Sequence, residues 1–192
     1  MKFLSVNFKT DRGIIGFGLA VMFIYCLYNE MTDTLIYLIN LLSVYDSVSM
    51  LNYDFYVGVM FIYFTVKFNS FGFVIYRNNP LFIIKVLFIS QLSDVYQYLI
   101  GSNFGKYKIG WISPNKTYEG YIGGFIMTLI TFIWKYSFIE ITIIYILGIL
   151  GGLLSSILKR KLDIKDYSNL LGTHGGWYDR IDSVILPILF LA

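Results

Sequence analysis

Residues 141–182 read ITIIYILGILGGLLSSILKRKLDIKDYSNLLGTHGGWYDRID. The first part, 141–158, carries no charged residue and comes close to the ~20 apolar residues that a helix needs to cross hydrocarbon. It runs straight into an island of charge at 156–182, with the basic triplet Lys159, Arg160 and Lys161 and four aspartates. The same island holds the chain's only histidine, His174, and the pair Gly175-Gly176. An apolar helix that ends in such a block reads as a helix leaving a membrane. In a chain this apolar, that much charge needs a solvated or protein-lined place, and such a place suits chemistry on a phosphate.

The rest of the chain extends the membrane reading. It has 192 residues, 57% of them hydrophobic and only 14% charged, against about a quarter charged in soluble domains. Mean hydropathy is +0.66. The abundant Phe and Tyr suit lipid-facing surface and the interfacial aromatic belt. No polar stretch is long enough to bury a second core, so a single polytopic membrane domain over 1–192 is expected. A net charge of +3 is too small to imply a nucleic-acid partner. Cys26, the lone cysteine, has no intrachain partner for a disulfide. No small-residue cleavage site follows the N-terminal apolar run, which is expected to remain as an anchor.

Apolar runs at 13–28, 80–101, 118–134 and 141–158 are the cleaner spans, and 34–45 and 55–76 the less clean ones. The run 183–192 contains Pro187 and is too short for a full crossing. The expected fold is all-α, a polytopic bundle of about six to seven transmembrane helices. Lys2, Lys9 and Arg12 precede the first span, and Lys106, Lys108 and Lys116 lie between the fourth and fifth. Lys159, Arg160, Lys161, Lys165 and Arg180 follow the sixth. The positive-inside rule places these segments on the cytoplasmic face, with Arg77 and Lys135 against the trend. Segments 102–117 and 159–182 therefore share one face and form an expected composite polar site.

Three groups of residues have the chemistry for such a site. Asp179 and Asp182 are three apart, a spacing that shares a helix face. Mg²⁺ typically takes one or two carboxylates and completes its shell with substrate phosphates. Lys159, Arg160, Lys165 and Arg180 are the cations for phosphate oxygens. Gly175-Gly176 permits close backbone approach. The second group, in 101–124, is Ser113, Lys116, Thr117 and Glu119, and its bland alternative is a turn followed by a helix start. The third is Asp94, an ionisable group inside an apolar run and a functional candidate by default. Its bland alternative is a packing partner for a cation such as Lys85.

These residues fall into an ordered pattern that resembles the phosphatidate cytidylyltransferases, the CDP-diacylglycerol synthases. The family signature is matched by Ser156, Lys159, Arg160, Lys165, Asp166, His174, Gly175, Gly176, Asp179, Arg180 and Asp182. Its upstream motif is matched by Ser113, Pro114, Lys116, Thr117, Glu119 and Gly120. Asp94, Tyr98 and Gly101 match the element before that. The resemblance covers residues 80–192. It departs at Gly152, where the family usually has an aspartate thought to help hold metal, and at Gln97, where it usually has alanine.

The resemblance implies transfer of a cytidylyl group from CTP to phosphatidate, with CDP-diacylglycerol and pyrophosphate as products and Mg²⁺ as cofactor. It implies Asp179 and Asp182 as metal ligands and Lys159, Arg160, Lys165, His174 and Arg180 as catalytic groups. Asp94, Ser113, Lys116, Thr117, Glu119, Ser156, Asp166, Gly175 and Gly176 would line the substrates. The expected location is an integral membrane protein with its site toward the cytoplasm, among membrane lipids; a homodimer is compatible with it. Two alternatives stand beside this: an enzyme similar to CDP-archaeol synthase acting on an ether lipid, and a non-catalytic membrane relative that lacks the acid at Gly152.

Overall fold

The computed structural model describes residues 32–110, 112–171 and 175–192. The expected span 13–28 and His174 lie outside the described residues. Among those described there are six α-helices and no strand: α1 (Thr32–Ser49), α2 (Phe55–Asn78), α3 (Pro80–Phe104), α4 (Tyr118–Phe132), α5 (Phe138–Lys161) and α6 (Tyr178–Leu191). A short 3-10 turn, Met50–Asn52, joins α1 to α2.

Local sequence sets the helix ends. Asp54 Oδ1 accepts from Val57 N–H at 2.9 Å where α2 begins. Asn79 Oδ1 accepts from Phe82 N–H at 3.1 Å, and Pro80 takes the first position of α3, where a missing N–H is harmless. Ser137 and Glu140 form a reciprocal capping box at the start of α5. Lys159, Arg160 and Lys161 sit in the last turn of α5, where positive charge meets the negative end of the helix dipole.

Helices α2, α3 and α5 have the length and apolarity to cross a membrane. The expected spans at 55–76, 80–101 and 141–158 fall within them. Helix α4 has 15 residues, a rise of about 22 Å at 1.5 Å per residue, which is short of a ~30 Å core. Large apolar side chains face outward, among them Met60, Leu81 and Phe88 on the three long helices. That outward surface suits lipid and marks a membrane protein.

Contacts divide the chain into two compact units. One holds the described residues up to Asn69 together with those of 166–179. Its core is Met50, Phe68, Tyr167, Leu171 and Tyr178. The Tyr178 ring meets Phe61 edge-on at 5.0 Å, and its hydroxyl bonds to Thr65.

The other unit holds residues 70–165 and 180–192. Val86, Ile89, Ile141, Ile144, Tyr145, Val184 and Ile188 form its core. Here α3 and α4 approach closely because Gly120, Gly123 and Gly124 face α3. A Cβ on Gly124 would lie 2.7 Å from Gln97 Cγ. The glycine thus makes room for the glutamine that departs from the family pattern. Lys85 does not pair with Asp94: its Nζ lies 2.9 Å from Glu140 Oε1. That ion pair joins α3 to the capping box of α5.

Candidate functional site

The segment between α3 and α4 is folded to deliver a lysine. Ile109 N–H donates to Lys116 O at 3.0 Å and Tyr118 N–H to Tyr107 O at 3.0 Å. Lys108 and Thr117 form an antiparallel bridge, and Lys116 N–H closes the tip onto Ser113 O at 3.1 Å. Lys116 Nζ comes to 3.9 Å from Asp94 Oδ1 on α3 and to 5.6 Å from the Tyr121 ring on α4. A Cβ placed on Gly152 of α5 would lie 3.4 Å from the same Nζ and would meet nothing else within contact.

Asp182 of α6 completes this cluster within the same unit. Burial pushes its carboxyl above the ordinary carboxylate range, and the Asp94 charge adds to the effect. Lys159, Lys116 and a hydrogen bond from Ser155 pull it back toward the charged form. Close packing sets its place: a Cβ on Gly151 would collide with the Asp182 carbonyl oxygen, and one on Gly148 would lie 3.2 Å from Ser183 O. The Tyr121 hydroxyl and Gln97 Oε1 are buried and have no partner among the described residues. Asp94 and Lys116 are therefore paired, and Asp182 lies within electrostatic reach of both and of Lys159.

Other expected site residues have local duties. Thr117 is buried and caps α4, its Oγ1 accepting from Gly120 N–H at 3.1 Å. Glu119 accepts from Tyr107 N–H at 3.2 Å. Ser156 Oγ donates back to Gly152 O at 2.8 Å along its own helix. Arg160 Nη1 donates to Ile164 O at 3.3 Å, where α5 ends. Lys165 and Arg180 are exposed, and the Arg180 carbonyl accepts from Gln91 Nε2 at 2.8 Å.

In the other unit, the segment 166–179 is folded around a carboxylate. Asp179 Oδ2 accepts from Tyr167 N–H and Gly176 N–H, both at 2.9 Å. Leu171 N–H donates to Gly175 O at 2.9 Å. Gly175 has φ +78°, and a Cβ there would fall 2.9 Å from Asp179 Oδ2 and 3.1 Å from Asp166 Cβ. Asp166, Gly175, Gly176 and Asp179 thus come together.

Asp46, Tyr121, Ser155 and Gly151 escaped the sequence reading. A tyrosine or glycine in an apolar run gives no local signal of its neighbours. Asp46 had one available signal, a carboxylate at the end of an apolar stretch.

The sequence profile of the cytidylyltransferase family matches residues 2–192. The chain belongs to that family. Within the family it is similar to the phosphatidate cytidylyltransferase of Aquifex aeolicus (strain VF5), 33% identical over 171 residues that cover 83% of this chain and 66% of that protein. The phosphatidate cytidylyltransferase of Staphylococcus haemolyticus (strain JCSC1435) is 38% identical over 150 residues, 70% of this chain and 54% of that protein. That of Bacillus subtilis (strain 168) is 40% identical over 112 residues, 52% of this chain and 41% of that protein. The chain thus spans between two fifths and two thirds of the length of these relatives. The motifs that placed it among cytidylyltransferases supply all four charges of the cluster, Asp94, Lys116, Lys159 and Asp182.

Proposed function

We propose that the chain transfers a cytidylyl group from CTP to phosphatidate, giving CDP-diacylglycerol and pyrophosphate. The observation that carries this is the Lys116–Asp94 pair, with Asp182 in electrostatic reach of both and of Lys159 in one unit, in a chain whose similar relatives bear the name phosphatidate cytidylyltransferase. A phosphate oxygen of the lipid attacks the α-phosphorus of CTP. A new P–O bond forms, the bond to the β-phosphate breaks, and pyrophosphate leaves with the electron pair. The nucleophile is already anionic, so catalysis rests on positioning and charge neutralisation. Lys116 and Lys159 neutralise phosphate oxygens, with Arg160, Lys165 and Arg180 as outer cations. The buried Tyr121 hydroxyl offers a further hydrogen bond.

Mg²⁺ is the cofactor this reading requires. Among the described residues no group of three or more His, Cys, Asp or Glu is gathered for a metal. A pair of carboxylates suffices where substrate phosphates complete the shell, and Asp182 with Asp94 supplies such a pair. Asp179, in the other unit, is a separate candidate ligand, with Oδ2 already accepting two N–H groups. When bound, the ion would neutralise charge on the triphosphate.

The reading includes a polytopic membrane protein of six or seven spans with the site toward the cytoplasm, where CTP is dissolved. The basic segments around Lys106–Lys116 and Lys159–Lys165 support that orientation. The purified chain with CTP, Mg²⁺ and a mixture of phosphatidate and its ether-linked counterpart tests it. CDP-diacylglycerol as the main product supports the proposal. Preference for the ether lipid moves it to the ether-lipid enzyme. Metal-dependent CTP binding without any product favours the non-catalytic alternative raised by Gly152.

A further inference from the structure

Asp46, near the end of α1, is fully buried. A carboxylate taken out of water needs hydrogen-bond donors, and those of Asp46 come from the segment 166–179. Its Oδ1 accepts from Ser168 Oγ at 2.6 Å and its Oδ2 from Tyr178 N–H at 2.8 Å, with the Trp177 N–H adding to these. The ion pairs Lys85–Glu140 and Lys116–Asp94 both lie elsewhere. Gly176 leaves room for the acid: a Cβ there would fall 2.5 Å from Asp46 Oδ2 and 2.9 Å from Ser168 Oγ. From the same helix end, Ser49 Oγ donates to Tyr167 O at 2.9 Å. The bond to Tyr178 N–H satisfies the first turn of α6 from outside the helix, as an N-cap would from within.

We infer that Asp46 is a positioning residue for the transfer reaction: it fixes the segment 166–179 and the first turn of α6, and so the aim of Asp179. A buried carboxylate is a poor device for stability alone, because apolar packing of similar volume often does as well. What its directed bonds add is geometry. Asp46 and Asp179 both hold the segment, Asp46 through Ser168 and Tyr178, Asp179 through Tyr167 and Gly176. The turnover arm of the test rests on the proposed function; the anchoring arm does not.

The test uses the full chain in detergent with CTP, phosphatidate and Mg²⁺, comparing Asp46→Leu, Asp46→Asn and Ser168→Ala. Asparagine keeps an acceptor for Tyr178 N–H and offers a donor that the Ser168 hydroxyl can accept. Asp46→Leu is expected to lower kcat by roughly ten- to a hundredfold, as loss of a supporting hydrogen bond does elsewhere, with KM for CTP little changed. Asp46→Asn is expected to recover most of the rate. In hydrogen exchange the amides of Tyr167, Gly176 and Tyr178 should lose protection in the leucine variant and keep it in the asparagine one. An unchanged kcat in Asp46→Leu, or a raised KM with kcat intact, overturns the inference, as does unchanged amide protection. If the leucine variant does not fold, Ser168→Ala decides: a partial loss of kcat supports the inference and none overturns it. A native chain without turnover contradicts the proposed function instead, and the exchange experiment then decides for Asp46.

Discussion

Lys116 Nζ lies 3.9 Å from Asp94 Oδ1, which brings the loop before α4 onto the middle of α3. Both side chains keep about a third of their surface exposed, 32% and 36%. A pair this long and this wet contributes little to folding, on the order of 0–1 kcal/mol. On the proposed function, its worth lies in holding a cation where phosphate charge is to be neutralised. Lys116→Met should leave thermal unfolding close to native and lower turnover by roughly a hundredfold, the scale of losing one preorganised donor. Thermal melts beside steady-state kinetics check this, and a melt that collapses with the rate would make the pair structural.

Neighbouring glycines on α5 should behave in opposite ways. A Cβ on Gly151 would strike the Asp182 carbonyl oxygen, whereas one on Gly152 meets only Lys116 Nζ at 3.4 Å. Gly151→Ala should destabilise by about 1–3 kcal/mol through overpacking and lower turnover with it. Gly152→Ala should be tolerated. Gly152→Asp should fold, pair with Lys116 and lower the Mg²⁺ concentration needed for half-maximal rate. Equal melting temperatures for Gly151→Ala and Gly152→Ala would contradict the packing of α6 on α5.

Thr117 looks like a substrate residue in the sequence and behaves as a helix cap in the structure. Thr117→Ala should cost about 1 kcal/mol of stability, and Thr117→Ser should restore most of it. KM for CTP, measured on folded protein, should not move in either variant. A selective rise in KM would return Thr117 to the substrate site.

Removal of divalent cations should abolish turnover while leaving the helical signal in circular dichroism unchanged, and added Mg²⁺ should restore the rate. The fold needs no metal on this account because Asp179 is satisfied by backbone N–H groups and Asp182 is offset by Lys159 and Lys116. Loss of helicity on chelation would point to a structural metal.

The long helices were legible because each is an apolar run of nearly spanning length, and three helices also carry local start signals. Asn79-Pro80, Thr117 and the pair Ser137 and Glu140 start helices by bonds to their own neighbours. The grouping of Asp94, Lys116, Lys159 and Asp182 was half legible, since the motifs named the residues but not who touches whom. Lys85 illustrates the gap. Asp94 lies nine positions along the same helix, yet the lysine is taken by Glu140 on α5. Asp46 was not legible as an anchor, because its partners Ser168 and Tyr178 lie more than a hundred residues away. Gly152 stood out only as a departure, and its meaning came from the ammonium facing it.

The most direct measurement follows the label from α-³²P CTP into lipid by the native chain and by Asp182→Asn, each purified and supplied with phosphatidate and Mg²⁺. The native chain should form labelled CDP-diacylglycerol together with an equal amount of pyrophosphate, and Asp182→Asn should lose nearly all of that activity. No labelled lipid from the folded native chain, under conditions where a phosphatidate cytidylyltransferase is active, would contradict the account. Undiminished labelling by Asp182→Asn would move the chemistry away from the cluster on α3, α5 and α6.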